Sequence, residues 1–159
     1  MLTNQEILRN SLIQLKDKII ANSDRAGQRA SGKTAESFEV RTTENTGELW
    51  ARTYIGVLET GRKKGGMPPM KNIREWIEAK GIQPRKKISL NSLAFLIVRK
   101  ISEEGSELYR KGGRTDIYTS EIEPFTTELM KTLGENFLIT FDTQVKNIVN
   151  EINKANARN

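Results

Sequence analysis

Apolar side chains recur at helical spacing near the start of the chain. Leu8, Leu12, Leu15 and Ile19 fall at steps of four, three and four, and Ile7 and Ile20 widen the stripe. Thr3 followed by Glu6 supplies a capping box, so the spacing predicts a long N-terminal helix with one apolar face. From Ser37 the period shortens to two. Phe38 and Val40 alternate with Glu39 and Arg41, Asn45, Thr46 and Gly47 make a turn, and a strand-like run resumes from Leu49 to Ile55. This predicts an antiparallel hairpin. Its second strand is two-sided, with Trp50, Arg52 and Tyr54 against Leu49, Ala51 and Thr53, and the pattern leaves open which side meets the core.

Beyond the hairpin the helical period returns. Gly61, Gly65 and Gly66 with Pro68 and Pro69 form a turn that starts a helix from Met70 to Lys80, whose Ile73, Trp76 and Ile77 share a face; Gly81 and Pro84 stop it. Ser89 or Asn91 can cap the next helix, with Leu93, Leu96, Ile97 and Ile101 expected as its buried stripe and Gly105 at its end. A polar, basic loop from Ser106 to Thr115 follows, then Asp116 to Tyr118 as a short returning strand. Ser120 with Glu123 offers a second capping box for a long terminal helix, over about 120–155. Leu138, Phe141, Val145, Ile148 and Ile152 step along it at heptad-like intervals, and Asn153 to Asn159 are expected to fray. The expected fold class is therefore α+β: a long N-terminal helix, a small antiparallel β-sheet, flanking helices and a long C-terminal helix. At 159 residues the chain is the size of one domain, 1–159, with the terminal helix as an extension.

Composition narrows the chemistry. With no cysteine and no histidine, the chain lacks disulfides, thiolate nucleophiles, the commonest zinc ligands and the usual neutral-pH proton shuttle. Glu121 and Glu123 are two apart, while Asp17, Asp24 and Asp116 lie far from one another, so no paired-carboxylate or metal signature is visible; a Ser and Lys pairing stays open. The expectation is a chain that is not an enzyme and uses no cofactor or metal. No basic flank leads into an apolar run, and no segment approaches the roughly 18 apolar residues of a membrane span, so a soluble, cytosolic product is expected.

Charge is concentrated in the middle. Between Gly61 and Arg114, fourteen Lys and Arg face five acids, which leaves +9 there against +6 for the whole chain. Such a cluster attracts phosphate backbones or an acidic partner, or is a solvated face, and charge alone does not distinguish these. Trp76 and Trp50 could stack on bases, but the face that Trp76 shares with Ile73 and Ile77 predicts a core or interface anchor there.

One motif matches a well-known pattern: Gly27, Gly32, Lys33 and Thr34 in GQRASGKT satisfy the phosphate-cradling loop of nucleotide hydrolases. That mechanism needs a buried strand before the first glycine and a helix beginning at the lysine. Here an amphipathic helix precedes, and the residues that follow alternate like a strand, so the motif reads as a helix end, a linker and a strand. Phe137 to Phe141 followed by Asp142 imitates the companion magnesium-binding strand, but the helical period through Val145 and Ile152 explains those residues more simply.

The succession SGKTAESFEV, YIGVLETGRKKGGMPPMKNIREWIEAKGI and LAFLIVRKISEEGSELYRKGGRTDIY, spanning Ser31 to Tyr118, resembles the tail-completion or head-tail joining (minor tail, neck) proteins of tailed bacteriophages. The likeness rests on Gly32 and Ser37 before the first strand, on Gly61, Arg62, Met67, Pro68 and Pro69 leading into a helix, and on the apolar helix from Leu93 to Gly105. It implies an α+β protomer of a ring in the virion, assembled in the host cytoplasm, that completes the tail at the head-tail junction and contacts other neck, connector or tail proteins. It implies no cofactor and no membrane. Under it, Arg62, Lys63, Lys64, Met67, Trp76, Arg110, Lys111 and Arg114 are the expected interaction residues at subunit or channel surfaces, where passing DNA would be met without sequence preference. The alternative from the charge pattern is a free basic nucleic-acid-binding protein.

Overall fold

A computed structural model of the protein describes residues 2–85 and 87–156. Helix α1, Asn4–Arg25, carries the expected capping box: Thr3 Oγ1 accepts from the Glu6 amide at 3.2 Å while the Glu6 carboxylate accepts from the Thr3 amide at 2.7 Å. It buries Ile7, Leu12, Leu15 and Ile19. Helix α2, Lys33–Glu36, is a single turn, and strands β1, Glu39–Thr42, and β2, Gly47–Trp50, form the antiparallel hairpin, with Glu39 opposite Trp50 and Thr42 opposite Gly47. Leu49 packs on the core and Trp50 faces outward, which settles the side the alternation left open.

The second strand is shorter than its sequence suggests. β1 has no residue to offer beyond Glu39, so the ladder stops at Trp50 and the apolar run continues as a 3₁₀ turn, Thr53–Gly56, into helix α3, Val57–Thr60. Helix α4, Met70–Ala79, and helix α5, Leu90–Glu104, pack against each other. Ser89 caps α5, accepting from the Ser92 amide at 3.1 Å. The expected stripe of α5 is corrected: Ala94 and Val98 are its buried residues, Leu93, Ile97 and Ile101 are half-buried, and Leu96 is exposed beside Phe95. The helix is apolar on most of its circumference, so the periodicity could not single out the face that meets α4.

After helix α6, Glu107–Arg110, the chain makes a turn and enters helix α7, Thr119–Asn156. The expected strand at Asp116 to Tyr118 is absent among the described residues. The amides of Ile117 and Tyr118 go to a carboxylate, Glu59, instead of a neighbouring strand. Helix α7 runs antiparallel to α1: Glu121 meets Lys18 and Asn22 at one end, and Asn136 donates to Asn4 at the other. Leu15, Ile19, Leu58 and Ile117 form the core between α1, α3 and the turn, with Phe38, Leu49, Ile55 and Phe125 packed around it. Asn153–Asn156, expected to fray, continue the helix; residues 157–159 and Lys86, one of the counted bases, lie outside the described residues.

Candidate functional site

The two basic loops, some forty residues apart in sequence, are stitched together. The Arg62 carbonyl accepts from the Ser106 amide at 2.8 Å, and the Arg62 amide donates to Ser106 Oγ at 2.9 Å. Gly65 donates its amide to the Ser102 carbonyl at 2.9 Å and accepts from Ser102 Oγ at 2.6 Å, while the Arg114 amide donates to the Glu59 carbonyl at 2.8 Å. Gly61 makes the approach possible. Its φ is 68°, and a Cβ there would lie 2.4 Å from the Tyr109 amide nitrogen and 2.7 Å from Ser106 Oγ.

Beneath this seam sits Glu59, only 3% exposed. Its carboxylate accepts from the amides of Ile117, Tyr118 and Thr119 at 2.8–2.9 Å and from the Thr119 hydroxyl, so a side chain from α3 caps the N-terminus of α7. Burial on its own would push the carboxyl up, but the hydrogen bonds from Thr119, Tyr118 and Ile117 outweigh it and hold the pKa below the ordinary 4.5. This replaces the capping role expected of Ser120 and Glu123. The sequence offered no local signal for Glu59, because its partners lie 58 to 60 residues away.

The predicted cations share this face but differ in state. Arg110 pairs with Glu104 at 2.9 Å, Lys111 with Glu107 at 2.6 Å, and Arg114 grips Asp116 through two bonds at 2.6 and 2.8 Å. The bond from Lys111 lowers the Glu107 pKa and that from Arg114 lowers the Asp116 pKa. Arg62 closes its own loop by donating to the Gly66 carbonyl at 3.1 Å. Lys63 and Lys64 are exposed and, like Arg62, form no ion pair among the described residues, so these three carry the unpaired positive charge of the seam. Met67 is exposed at the end of the loop, while Pro68 behind it is buried. Trp76 is 39% exposed on α4 while Ile77 beside it is buried, so of the two roles expected for the indole, the core role is corrected. The other tryptophan, Trp50, is exposed on the hairpin and has Arg41 stacked on its ring at 4.8 Å.

The GQRASGKT segment takes a form the sequence only partly anticipates. Gly32 is left-handed, and one turn of helix begins at Lys33 before the strand, where the alternation had suggested strand directly. The residues before Gly27 belong to α1, with no strand leading in. The Lys33 amine donates to Glu75 at 2.8 Å, and Lys80 donates to the Gly27 carbonyl, so the segment is pinned to α4. The Lys33 bond lowers the Glu75 pKa.

Among the described residues no three acidic side chains converge to hold a metal ion, and no helix is long and apolar enough to cross a membrane. What the arrangement offers is a rigid, doubly stitched basic corner at the root of α7. No known family model, curated protein or solved structure matches this chain.

Proposed function

We propose that the chain is a structural protomer of a tailed bacteriophage virion, forming a ring at the neck or tail end that completes the tail and joins it at the head-tail junction. One observation carries this reading. The distal half of α7 holds a row of apolar side chains with nothing packed on it in the protomer, a surface that a self-sufficient monomer rarely leaves in water. A closed ring buries such surface by repeating one contact between neighbours. Met67 and Trp76, both exposed, supply further apolar contact for a neighbour.

The free charge of Lys63 and Lys64 faces outward from a corner held by backbone hydrogen bonds, so it is presented without the entropy cost of a loose loop. At a lumen it would meet passing DNA through a salt-dependent attraction blind to sequence. The chemistry required is contact chemistry, with no reacting group. The test is Lys63→Glu with Lys64→Glu in the phage that encodes the chain. Assembly or genome passage should fail; particles of normal number and infectivity, or purified particles that lack the chain, refute the proposal.

The free nucleic-acid binder is the second reading, favoured by the same two lysines. It requires the isolated protein to bind short duplexes at physiological salt, whereas the ring protomer binds them weakly at most. The pairing of Arg110, Lys111 and Arg114 with carboxylates favours the ring, because those cations are already half-neutralised.

A further inference from the structure

Helix α7 outruns the body it packs on. The bond from Asn136 to Asn4, the first residue of α1, marks where α7 reaches the end of α1, and the 38-residue helix continues to Asn156, about 30 Å further along its axis. Every residue from 141 to 154 is exposed. The overhang is nevertheless amphipathic. Leu138, Val145 and Ile152 fall on one heptad position and Phe141 and Ile148 on the other, flanked by Phe137 and Val149, all within an arc of roughly 120°. Their exposures run from 41% at Val145 to 67% at Phe137.

Three features say what covers this stripe. The first is area. A fully exposed aromatic side chain presents roughly 150–250 Å², so these seven residues leave on the order of 700 Å² of apolar surface. That exceeds what a monomer commonly exposes and approaches the roughly 800 Å² each partner gives to a standard interface. The second is charge. Asp142, at the heptad position of Val149 on the edge of the stripe, pairs with Lys146 at 2.6 Å, which lessens like-charge repulsion where identical stripes meet. The third is width. Phe137 and Val149 widen the apolar face beyond the seam, beside Asp142, Gln144 and Glu151 at the same two flanking positions, and β-branched Val145 and Ile152 at one core position with Ile148 at the other favour more than two strands.

We infer that the overhangs of three or more copies of this chain associate as a helical bundle through this stripe, the occupant of each stripe being the same stripe on neighbouring copies. The identity of that occupant rests on the ring reading; the bundle adds a contact that the stitched basic corner does not supply.

The experiment is sedimentation of the full-length protein across roughly 1 to 100 µM, comparing wild type with Phe141→Glu combined with Ile148→Glu. Both side chains are exposed in the protomer, so the variant keeps its fold, which circular dichroism verifies. Wild type should form species larger than a dimer, and the double variant should need a concentration at least about tenfold higher to do so. Wild type that remains monomeric or stops at a dimer overturns the inference. A double variant that assembles like wild type, and still enters particles, overturns it while leaving the ring reading intact. Absence of the wild-type chain from purified particles instead removes the ring reading.

Discussion

Glu59→Gln isolates the contribution of one buried carboxylate to the root of α7. The substitution keeps the shape: the amide oxygen can still accept from Ile117, Tyr118 and Thr119, and the amide nitrogen can donate to the Thr119 hydroxyl. What is lost is the charge on the acceptor. Hydrogen bonds to a charged group contribute about 1.5–3 kcal/mol against about 1 for neutral ones, and three of the four donors share a single oxygen, so the differences do not add fully. The expected cost is about 2 kcal/mol at pH 7, within the range of a lost helix cap. For a chain of this size it lowers Tm by about 4–8 °C. The pH dependence supplies the sharper test. The Glu59 pKa is depressed in the folded state below 4.5, so its stabilisation is present above the unfolded value and is lost as pH falls through the folded one. Denaturant unfolding followed by circular dichroism should therefore show wild type and variant separated at pH 7 and converging below pH 4.5. A variant as stable as wild type at pH 7, or a separation that stays constant down to pH 2, refutes the assignment of Glu59 as the cap of α7.

Gly61→Ala forces a Cβ onto the Tyr109 backbone at a left-handed position and should cost about 2–4 kcal/mol by thermal unfolding; a change under about 0.5 kcal/mol means that the two basic loops are not held in the described contact. Ile117→Ala empties a site of 0% exposure at the centre of the core and should destabilise by about 2–5 kcal/mol in denaturant titration, whereas a smaller loss would place Ile117 outside the core. Lys33→Ala removes only a surface ion pair with Glu75, so Tm should stay within error of wild type; steady nucleotide hydrolysis by the wild-type protein that this change abolishes would restore the phosphate-loop reading. Reversing Lys63 and Lys64 should weaken any binding to duplex DNA and flatten its dependence on salt, measured by fluorescence anisotropy, while equal changes at Arg110 and Lys111 should have smaller effects because those cations are already paired.

Much of the architecture is written locally. The Thr3 and Glu6 box, the spacing from Leu8 to Ile19, the alternation around Phe38 and the heptad-like steps from Leu138 to Ile152 each act through neighbours a few residues away, so they specify α1, the hairpin and α7 without reference to the rest of the fold. The candidate site was legible only in part. Its cations were visible as a charge excess, but their pairing was not, since each carboxylate partner could as well have faced water.

The remainder depended on distance through space. Whether the run after Trp50 continued as strand was decided by where β1 ended, and which face of α5 was buried was decided by α4. Glu59 is the clearest case: nothing nearby marks it, and its role exists only once the turn at Ile117 arrives from 58 residues away to present three amides. Periodicity along a chain determines which elements form and which stripe each would bury. It does not determine whether a partner comes, and the uncovered stripe beyond Asn136 is the place where the protomer provides none.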